Sequence, residues 1–272
     1  HMDSLSKVLR RPTAVDDKYS RGVVGFVTGS IEYPGAAILG VTAAMRTGIG
    51  MVRYLGPESV GKMLLEVRPE AVLQQGRAQA WVVGSGVSAH EAGEQASRAL
   101  QVLEHAQYAV IDAGALDIVD FKTVQAHAIL TPHVGELERL LGRLGSPMTR
   151  QFIEANQVEA ATLAASLTGQ TILLKGNITT IAAPGEPVIQ TPPANPALAT
   201  AGSGDVLAGI LGALLASNSD EISSGALKLS EIALAGALLH ARAADFAAKD
   251  GPVAALDVAE AVRKVVGEIL DK

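Results

Sequence analysis

The stretch Val23-Val24-Gly25-Phe26-Val27-Thr28-Gly29-Ser30 sets the pattern on which the predicted fold rests, because a short apolar run ends there in a glycine-containing turn. The same pattern recurs along the chain, and segments with helical spacing lie between the runs. The further predicted strands are Gly50–Leu55, Ala80–Val83, Tyr108–Ile111, Ala128–Leu130 and Thr171–Leu174. Strands that are apolar throughout are typical of a parallel sheet covered on both faces. The sequence therefore predicts an α/β fold with a mostly parallel sheet.

Helices are predicted between the strands and at the end of the chain. The predicted helices are Pro34–Thr47, His90–His105, Gln151–Leu167, Asp205–Ser217, Lys228–Lys249 and Leu256–Leu270. Thr179–Ala183 and Val188–Thr191 predict a short hairpin around Pro184-Gly185. Because no repeat or linker interrupts this order, one domain is expected over residues 3–272, with His1-Met2 interpreted as a cloning scar.

The composition excludes several classes of function. Hydrophobic residues make up 48% of the 272 residues and charged residues 18%, so the chain can bury a large core. The net charge of -6 argues against a nucleic-acid binder that relies on a basic surface. The absence of cysteine excludes disulfides, thiolate metal sites and cysteine nucleophiles. No uncharged apolar run reaches the length of a membrane span and no signal-peptide region is present, so a cytoplasmic protein without a membrane partner is expected.

The segment Gly202-Ser203-Gly204-Asp205 leads directly into an apolar helix. Free backbone N–H groups at a helix start, together with the helix dipole, can bind an anion such as phosphate. A carboxylate at this place is stabilised by the same dipole, so Asp205 is expected to stay ionised at neutral pH and to be able to accept a proton. The alternative is an ordinary helix cap without a ligand. Gly209 and Gly212 inside the helix favour close packing that would hold its start in place.

Two other segments place polar residues directly after predicted strands. His133 and Glu136 follow Ala128–Leu130, where an imidazole can bind a ligand and a carboxylate can hold hydrated Mg²⁺. Lys175 and Gly176 follow Thr171–Leu174, where a lysine fits a nucleotide contact. The alternatives are a helix cap with an exposed histidine and a turn with a solvated lysine. Since ligands of open α/β sheets bind beyond the carboxyl ends of the strands, these residues are expected to converge.

Three weaker candidates complete the predicted site. The helix start Tyr33-Pro34-Gly35-Ala36-Ala37 leaves room for a flat ligand, although tight helix–sheet packing explains it equally well. Gly84-Ser85-Gly86 is either an anion-binding loop or a flexible one, and Asp112 is either a ligand-binding or a structural carboxylate. The histidines without any metal-ligand spacing are interpreted as incidental: His1, His90, His105, His127 and His240.

Together these segments resemble one protein family. Gly202-Ser203-Gly204-Asp205 resembles the anion hole and catalytic aspartate of ribokinase-like kinases, and Thr131–Glu136 resembles their Thr-Pro-Asn-x-x-Glu motif with histidine in place of asparagine. That histidine, the Lys175-Gly176-x-x-Thr179 segment, the Tyr33–Ala36 helix start and Asn195-Pro196 are similar to one branch, the ADP-dependent NAD(P)H-hydrate dehydratases. The similarity runs from about Val23 to Ala216.

The resemblance implies a ribokinase-like three-layer α/β/α sandwich with a mostly parallel central sheet. It implies the dehydration of the S epimer of hydrated NADH or NADPH at the expense of ADP, which yields NAD(P)H, AMP and phosphate. ADP would be the co-substrate and Mg²⁺ the metal, and the chain would form a homotetramer. The rival interpretations are a small-molecule kinase of the same fold, acting for instance on a vitamin precursor, and a non-catalytic nucleotide-binding homologue.

The resemblance also implies roles for individual residues. Asp205 would be catalytic, beside an anion hole formed by Gly202, Ser203 and Gly204. The hydrated dinucleotide would be bound by Ala36, Ala37, Gly86, His133 and Asp205. ADP or AMP would be bound by Lys175, Gly176, Asn177, Ile178, Thr179 and Gly204. A metal ion would be held, directly or through water, by Glu136 and Asp112. The sequence departs from the family pattern at Ser203, where threonine is usual, and at Gly114, where a second aspartate is usual.

Overall fold

A computed structural model describes residues 2–88 and 93–271 of the chain. Within these two ranges, eight strands form one sheet. They are β1 (Val23–Val27), β2 (Met51–Tyr54), β3 (Ala80–Val83), β4 (Tyr108–Ile111), β5 (His127–Leu130), β6 (Thr171–Leu174), β7 (Thr180–Ala182) and β8 (Ile189–Gln190). Their order in the sheet is β2-β1-β3-β4-β5-β6-β7-β8. The strands from β1 to β6 pair in parallel, whereas β7 and β8 add an antiparallel hairpin at one edge. The predicted mostly parallel sheet is confirmed.

Twelve α-helices are found in the described part of the chain. They are α1 (Met2–Ser6), α2 (Pro34–Thr47), α3 (Glu58–Val67), α4 (Glu94–Leu103), α5 (Ala115–Ile118), α6 (Val134–Arg143), α7 (Arg150–Ala155), α8 (Gln157–Thr168), α9 (Ser203–Ser217), α10 (Ser219–Ser223), α11 (Leu229–Ala247) and α12 (Ala255–Leu270). Two short 3₁₀ turns lie at Pro196–Leu198 and Ala248–Asp250. Within residues 2–88 and 93–271, no helix has both the length and the apolar character needed to cross a bilayer.

Helices cover both faces of the sheet, which gives the molecule three layers. Alternate strand residues point to opposite sides: Val82 and Val110 belong to a core shared with α2, α9, α11 and α12, whereas Val83 and Ile111 belong to a second core shared with α4, α6 and α8. Burying apolar side chains on both faces explains why the strands are apolar throughout.

Helix α9 is the most deeply embedded part of the first layer. Its residues from Val206 to Ala216 are buried. A Cβ atom built on Gly209 would lie 2.1 Å from the carbonyl oxygen of Gly40 in α2, and one on Gly212 would lie 2.2 Å from a methyl carbon of Val82. The two interior glycines therefore permit the close packing that was predicted, and this packing holds the start of α9 against the sheet.

Two helix predictions need correction. The predicted helix Gln151–Leu167 is two helices, α7 and α8, because the backbone of Asn156 leaves the helical conformation (φ -134°, ψ 51°). The predicted helix His90–His105 is observed as Glu94–Leu103, and residues 90–92 lie outside the described part. Helix α3 was not predicted, although Pro57 precedes it and Val60 and Leu64 have helical spacing.

Candidate active site

Polar residues that follow four neighbouring strands meet at one edge of the sheet. Ser85 follows β3, Asp112 follows β4, Thr131 follows β5 and Lys175 follows β6. Parallel strands run in the same direction, so their carboxyl ends share one edge. The predicted convergence of strand ends is therefore found, and it brings together residues up to 90 positions apart in the sequence.

Asp112 is the centre of this cluster. Oδ2 of Asp112 accepts a hydrogen bond from Ser85 Oγ at 2.7 Å, and Oδ1 accepts one from Thr131 Oγ1 at 2.8 Å. Oδ1 also accepts a charged hydrogen bond from Lys175 Nζ at 3.0 Å. The carboxylate is almost completely buried. Burial opposes ionisation, but the lysine charge and the two hydroxyl donors outweigh it and hold the pKa of Asp112 below its usual value.

Lys175 also faces a second buried carboxylate, since its Nζ lies 3.7 Å from Oε2 of Glu136. Burial would lower the pKa of Lys175, but the charges of Asp112 and Glu136 outweigh burial and raise it. Lys175 is therefore a fixed positive charge at the edge of the sheet, held in place by two carboxylates.

Direct coordination of a metal ion by Glu136 and Asp112 does not fit this arrangement, whereas the predicted contact through water stays a prediction. Both oxygens of Asp112 already have hydrogen-bond partners, and Oε2 of Glu136 accepts the backbone N–H of His133 at 2.8 Å. The ammonium group of Lys175 lies where a cation would balance the two carboxylates. Among the described residues, no three histidine, aspartate or glutamate side chains gather in a way that could hold a metal ion. The two carboxylates thus position the lysine.

The start of α9 lies beside this lysine. Gly202 is the cap residue and adopts a left-handed conformation (φ 87°), which favours glycine. A Cβ atom on Gly204 would lie 3.4 Å from Lys175 Nζ, so the ammonium group is close to the helix start. The N–H of Ser203 donates to the carbonyl of Thr200 at 3.3 Å. The N–H groups of Gly204 and Asp205 lie in the first turn, where a helix supplies no carbonyl partner, and they are the donors left for an anion.

The ionisation of Asp205 differs from the expectation. Asp205 was expected to be ionised at neutral pH because of the helix dipole. Burial, reinforced by the negative charge of Asp112, instead raises the pKa of Asp205 to about 7, although Lys175 acts in the opposite direction. The carboxyl group is consequently divided between its two forms near neutral pH. A group with such a pKa can take up and release a proton under physiological conditions.

A cavity of about 780 Å³ opens at this edge of the sheet. It is lined by Lys175 and the helix start and by apolar residues, including Leu198 and Leu238. The predicted site residues in its wall are His133, Lys175, Gly176, Asn177, Thr179, Ser203 and Gly204. Asp205 lies behind Gly204 rather than in the wall itself. A volume of this size is typical of sites for nucleotide-sized ligands.

The remaining predicted residues lie outside this wall. Ile178 is 38% exposed but does not line the cavity. Ala36 and Ala37 are buried at the start of α2. Gly86 packs against them so closely that a Cβ atom there would lie 2.6 Å from the Cβ of Ala36. The tight packing considered as an alternative for this helix start is therefore present.

His133 combines the two interpretations offered for it. Its Nδ1 accepts the backbone N–H groups of Gly135 at 3.0 Å and Glu136 at 3.3 Å, so the imidazole caps α6. The side chain is nevertheless 56% exposed and forms part of the cavity wall. The ring is thus held by the helix start and remains available to a ligand.

His240 was interpreted as incidental, and the structure places it in the site. The ring belongs to α11, is buried, and lines the cavity with its Nε2 3.3 Å from Ser203 Oγ. Burial lowers the pKa of His240 to about 4. The helical spacing of the sequence could have indicated that His240 is buried, because it lies on the same face of α11 as the buried residues Ala233, Ala237 and Ala244.

Comparison with known proteins identifies the family of this chain. A family model described as NAD(P)H-hydrate dehydratase (Carb_kinase) matches residues 24–265. The bifunctional NAD(P)H-hydrate repair enzyme of Mycobacterium tuberculosis is 42% identical over 216 residues, which are 76% of this chain and 43% of that protein. The ADP-dependent (S)-NAD(P)H-hydrate dehydratase of Neisseria meningitidis serogroup B is 32% identical, with 86% of this chain and 80% of that protein covered. The chain spans about half the length of the bifunctional relatives that it matches.

Solved structures share the fold. The ADP/ATP-dependent NAD(P)H-hydrate dehydratase of Bacillus subtilis, co-crystallised with ATP/Mg²⁺, superposes with a TM-score of 0.83 at 26% identity, over 99% of this chain and 97% of that one. A ribokinase-like superfamily protein of Enterococcus faecalis superposes with a TM-score of 0.84 at 22% identity, over 100% of this chain and 96% of that one, so the predicted ribokinase-like fold is confirmed. From the extent of the family match and the identity to the Neisseria protein, the chain belongs to the NAD(P)H-hydrate dehydratase family.

Proposed function

We propose that this protein dehydrates the S epimer of hydrated NADH or NADPH to NAD(P)H and consumes ADP, which becomes AMP and phosphate. One observation carries the proposal: the carboxyl of Asp205, whose pKa is raised to about 7, lies at a helix start beside Lys175, where free N–H groups and the lysine can hold a phosphoryl group. The Neisseria meningitidis relative is named for this activity with ADP, and the Bacillus subtilis relative for use of ADP or ATP.

The nucleotide is proposed to occupy the cavity with its phosphates toward Lys175. Lys175 Nζ and the first turn of α9 supply positive charge at the same end of the cavity. Gly176, Asn177 and Thr179 line the adjoining wall, and Leu198 and Leu238 offer apolar surface for a base farther along. Ile178 does not line the cavity, so it is proposed to contact ADP only through its backbone. This arrangement leads the terminal phosphoryl group of ADP to the N–H groups of Gly204 and Asp205.

The chemical step is proposed to be phosphoryl transfer followed by elimination. The hydroxyl group of the hydrate gives its proton to Asp205 while its oxygen attacks the terminal phosphorus of ADP, and the bond to AMP breaks. The N–H groups at the α9 start and Lys175 stabilise the negative charge that gathers on the phosphoryl oxygens. Phosphate then leaves with its bonding electrons as the ring nitrogen lone pair moves in. The departing phosphate takes a proton from the neighbouring ring carbon, which restores the dihydronicotinamide.

The hydrated dinucleotide is proposed to approach from the side of Ala36, Ala37 and Gly86. These residues pack at the start of α2, whose Gly40 Cβ position lies 3.4 Å from the backbone oxygen of Asp205. Helix α2 therefore packs beside Asp205, and the family resemblance favours binding of the ring on this side, although Ala36 and Ala37 are buried. His133 would border the same ligand with its exposed ring edge.

Mg²⁺ is proposed to bind to the nucleotide phosphates, because this cation usually keeps most of its water and needs few protein ligands. The co-crystallisation of the Bacillus subtilis relative with ATP/Mg²⁺ supports this assignment. A homotetramer and a cytoplasmic location remain predictions from the family resemblance, which light scattering and fractionation of cells can test.

The test combines the purified protein with ADP, Mg²⁺ and the hydrated S epimer of NADH. We expect NADH absorbance to return in step with phosphate release. Asp205→Asn should abolish turnover while ADP binding persists, whereas Asp250→Asn, at an exposed position, should change neither. Transfer of phosphate from ATP to a vitamin-type alcohol would instead identify a kinase. ADP binding without any return of NADH absorbance would identify a non-catalytic nucleotide-binding protein.

A further inference from the structure

His240 and Ser203 form a contact that the mechanism above does not use. The Nε2 atom of His240 lies 3.3 Å from Oγ of Ser203, and both side chains are buried while also lining the nucleotide cavity. Among the described residues, His240 is the side chain that the Ser203 hydroxyl meets within hydrogen-bond distance. Ser203 is also the first residue of α9, next to the two N–H groups assigned to the phosphate.

The direction of this hydrogen bond decides what the hydroxyl can do. A neutral imidazole carries one N–H and one bare nitrogen. If the bare nitrogen faces Ser203, the hydroxyl donates its hydrogen to the ring, and only the lone pairs of Ser203 Oγ are left to face the cavity. If the N–H faces Ser203, the ring donates to Oγ and the hydroxyl hydrogen is free to point elsewhere. Only the second arrangement provides a donor for an anion.

We propose that His240 is a positioning residue whose Nε2–H donates to Ser203 Oγ and thereby directs the Ser203 hydroxyl hydrogen at the terminal phosphate of ADP. The hydroxyl replaces the Ser203 N–H, which is bonded to the Thr200 carbonyl and cannot serve the phosphate. The anion hole then consists of one hydroxyl and the N–H groups of Gly204 and Asp205. This inference rests on the proposed use of ADP.

The neutrality of the ring follows from its surroundings. Burial lowers the pKa of His240 to about 4, although the Ser203 backbone beside the ring opposes the shift, and the charge of Lys175 lowers it further. The ring therefore holds one proton through the pH range of activity, and its effect on Ser203 does not depend on titration. Simple packing of a buried histidine in α11 is the competing explanation, and it predicts no selectivity for one phosphate over another.

The test compares the dissociation constants of ADP and AMP, because these nucleotides differ only in the terminal phosphate. We expect Ser203→Ala to reduce the preference for ADP about tenfold, as loss of a hydrogen bond to a charged group does. His240→Leu should cause the same loss, and the double variant should lose no more than either single variant. Ser203→Thr and His240→Gln should retain the preference, since glutamine can place an N–H where Nε2–H lies. His240→Asn, whose amide is too short, should not.

His127→Gln is the matched control, because His127 is exposed at the start of β5 far from α9 in sequence, and it should leave the preference unchanged. Equal weakening of ADP and AMP in His240→Leu, or losses that add in the double variant, would overturn the proposal in favour of packing. Should His240→Leu not fold, an unchanged preference in Ser203→Ala would overturn it alone. Binding needs no turnover, so a wild-type protein that binds ADP but never restores NADH would overturn the proposed function and leave this test intact.

Discussion

Lys175 Nζ lies 3.0 Å from Oδ1 of Asp112, and this ion pair joins the carboxyl ends of β4 and β6, which β5 separates in the sheet. The Asp112 side chain is 3% exposed and that of Lys175 is 21% exposed. A buried pair of this kind contributes little net stability compared with apolar residues, but removing one partner leaves an uncompensated charge. The pair therefore places a positive charge at the phosphate end of the cavity. It also makes the stability of the fold depend on that charge.

Lys175→Met should strongly destabilise the protein. Asp112 and Glu136 would both remain buried without their cation, and we expect a loss of about 2–4 kcal/mol in the free energy of unfolding, measured by urea denaturation at pH 7. Adding Asp112→Asn should recover part of the loss, because it removes one of the stranded charges. Lys62→Ala is the control, since its ion pair with Glu58 is exposed and screened by water, so its removal should leave the free energy of unfolding nearly unchanged. Similar losses in Lys175→Met and Lys62→Ala would contradict a structural role for the buried pair.

Asp205→Asn should stabilise the protein at alkaline pH. The folded state holds the Asp205 proton up to about pH 7, whereas the unfolded chain releases it near 3.8, the ordinary pKa of an aspartate side chain. The folded state thus binds more protons than the unfolded chain between these two pH values. The contribution of the protonated Asp205 carboxyl to the free energy of unfolding is therefore full below about pH 4 and is lost as the pH rises through about 7. The difference in unfolding free energy between Asp205→Asn and wild type should grow over this range to about 4 kcal/mol.

Denaturant unfolding at several pH values between 5 and 8 measures this difference, with Asp250→Asn as the exposed control. A difference that is constant with pH, or that falls as the pH rises, would show that the ionised carboxylate is not disfavoured in the fold. The same titration should appear in the rate, because only the ionised form can accept the substrate proton. Turnover is therefore expected to rise with pH and to level off above about 7.

Most of the fold could be predicted because its signals are local. Pro34–Thr47 was predicted with the bounds that the structure shows, since proline begins the helix and Gly48 ends it in a left-handed conformation with φ 107°. The division at Asn156 was missed because apolar spacing continues across it, with Ile153 and Ala160 buried on either side. Periodicity reports which face is buried, and it does not report a change in helix direction.

The site was only partly predictable, because its decisive contacts join distant parts of the chain. The position of Lys175 after a strand was visible in the sequence, but its pairing with Asp112, 63 residues away, was not. Asp112 was left as either a ligand-binding or a structural carboxylate, with a metal role implied only by the resemblance, since a carboxylate at a strand end looks alike whether a lysine or a cation faces it. His240 was set aside because metal-ligand spacing was the test applied, and its partner is a hydroxyl group on another helix.

Two glycine substitutions should have opposite effects on stability. Gly209→Ala places a Cβ atom 2.1 Å from the Gly40 carbonyl oxygen, so α9 and α2 must separate, and we expect a loss of about 2–3 kcal/mol. Gly267→Ala in α12 meets no atom within 4 Å and should gain up to about 1 kcal/mol through better helix propensity. Thermal unfolding measures both effects. A gain in stability for Gly209→Ala would show that the close approach of α2 and α9 is not required.

Substitutions at His133 should separate its two roles. His133→Ala removes the cap of α6 and the imidazole together, and we expect a loss of about 1 kcal/mol in unfolding free energy along with weaker binding of the hydrated dinucleotide. His133→Asn keeps a good cap residue, so it should restore stability. It should not restore binding, because the exposed ring that borders the cavity is still missing.

The measurements are urea denaturation for stability and the dissociation constants of NADPH and ADP for binding, with NADPH standing in for its hydrate. The dinucleotide should be weakened more than ADP in both variants, since ADP is held chiefly through Lys175 and the α9 start. Recovery of NADPH binding in His133→Asn would mean that the histidine acts only by capping α6. An equal loss for NADPH and ADP would move His133 from the dinucleotide side of the cavity to the phosphates that both ligands share.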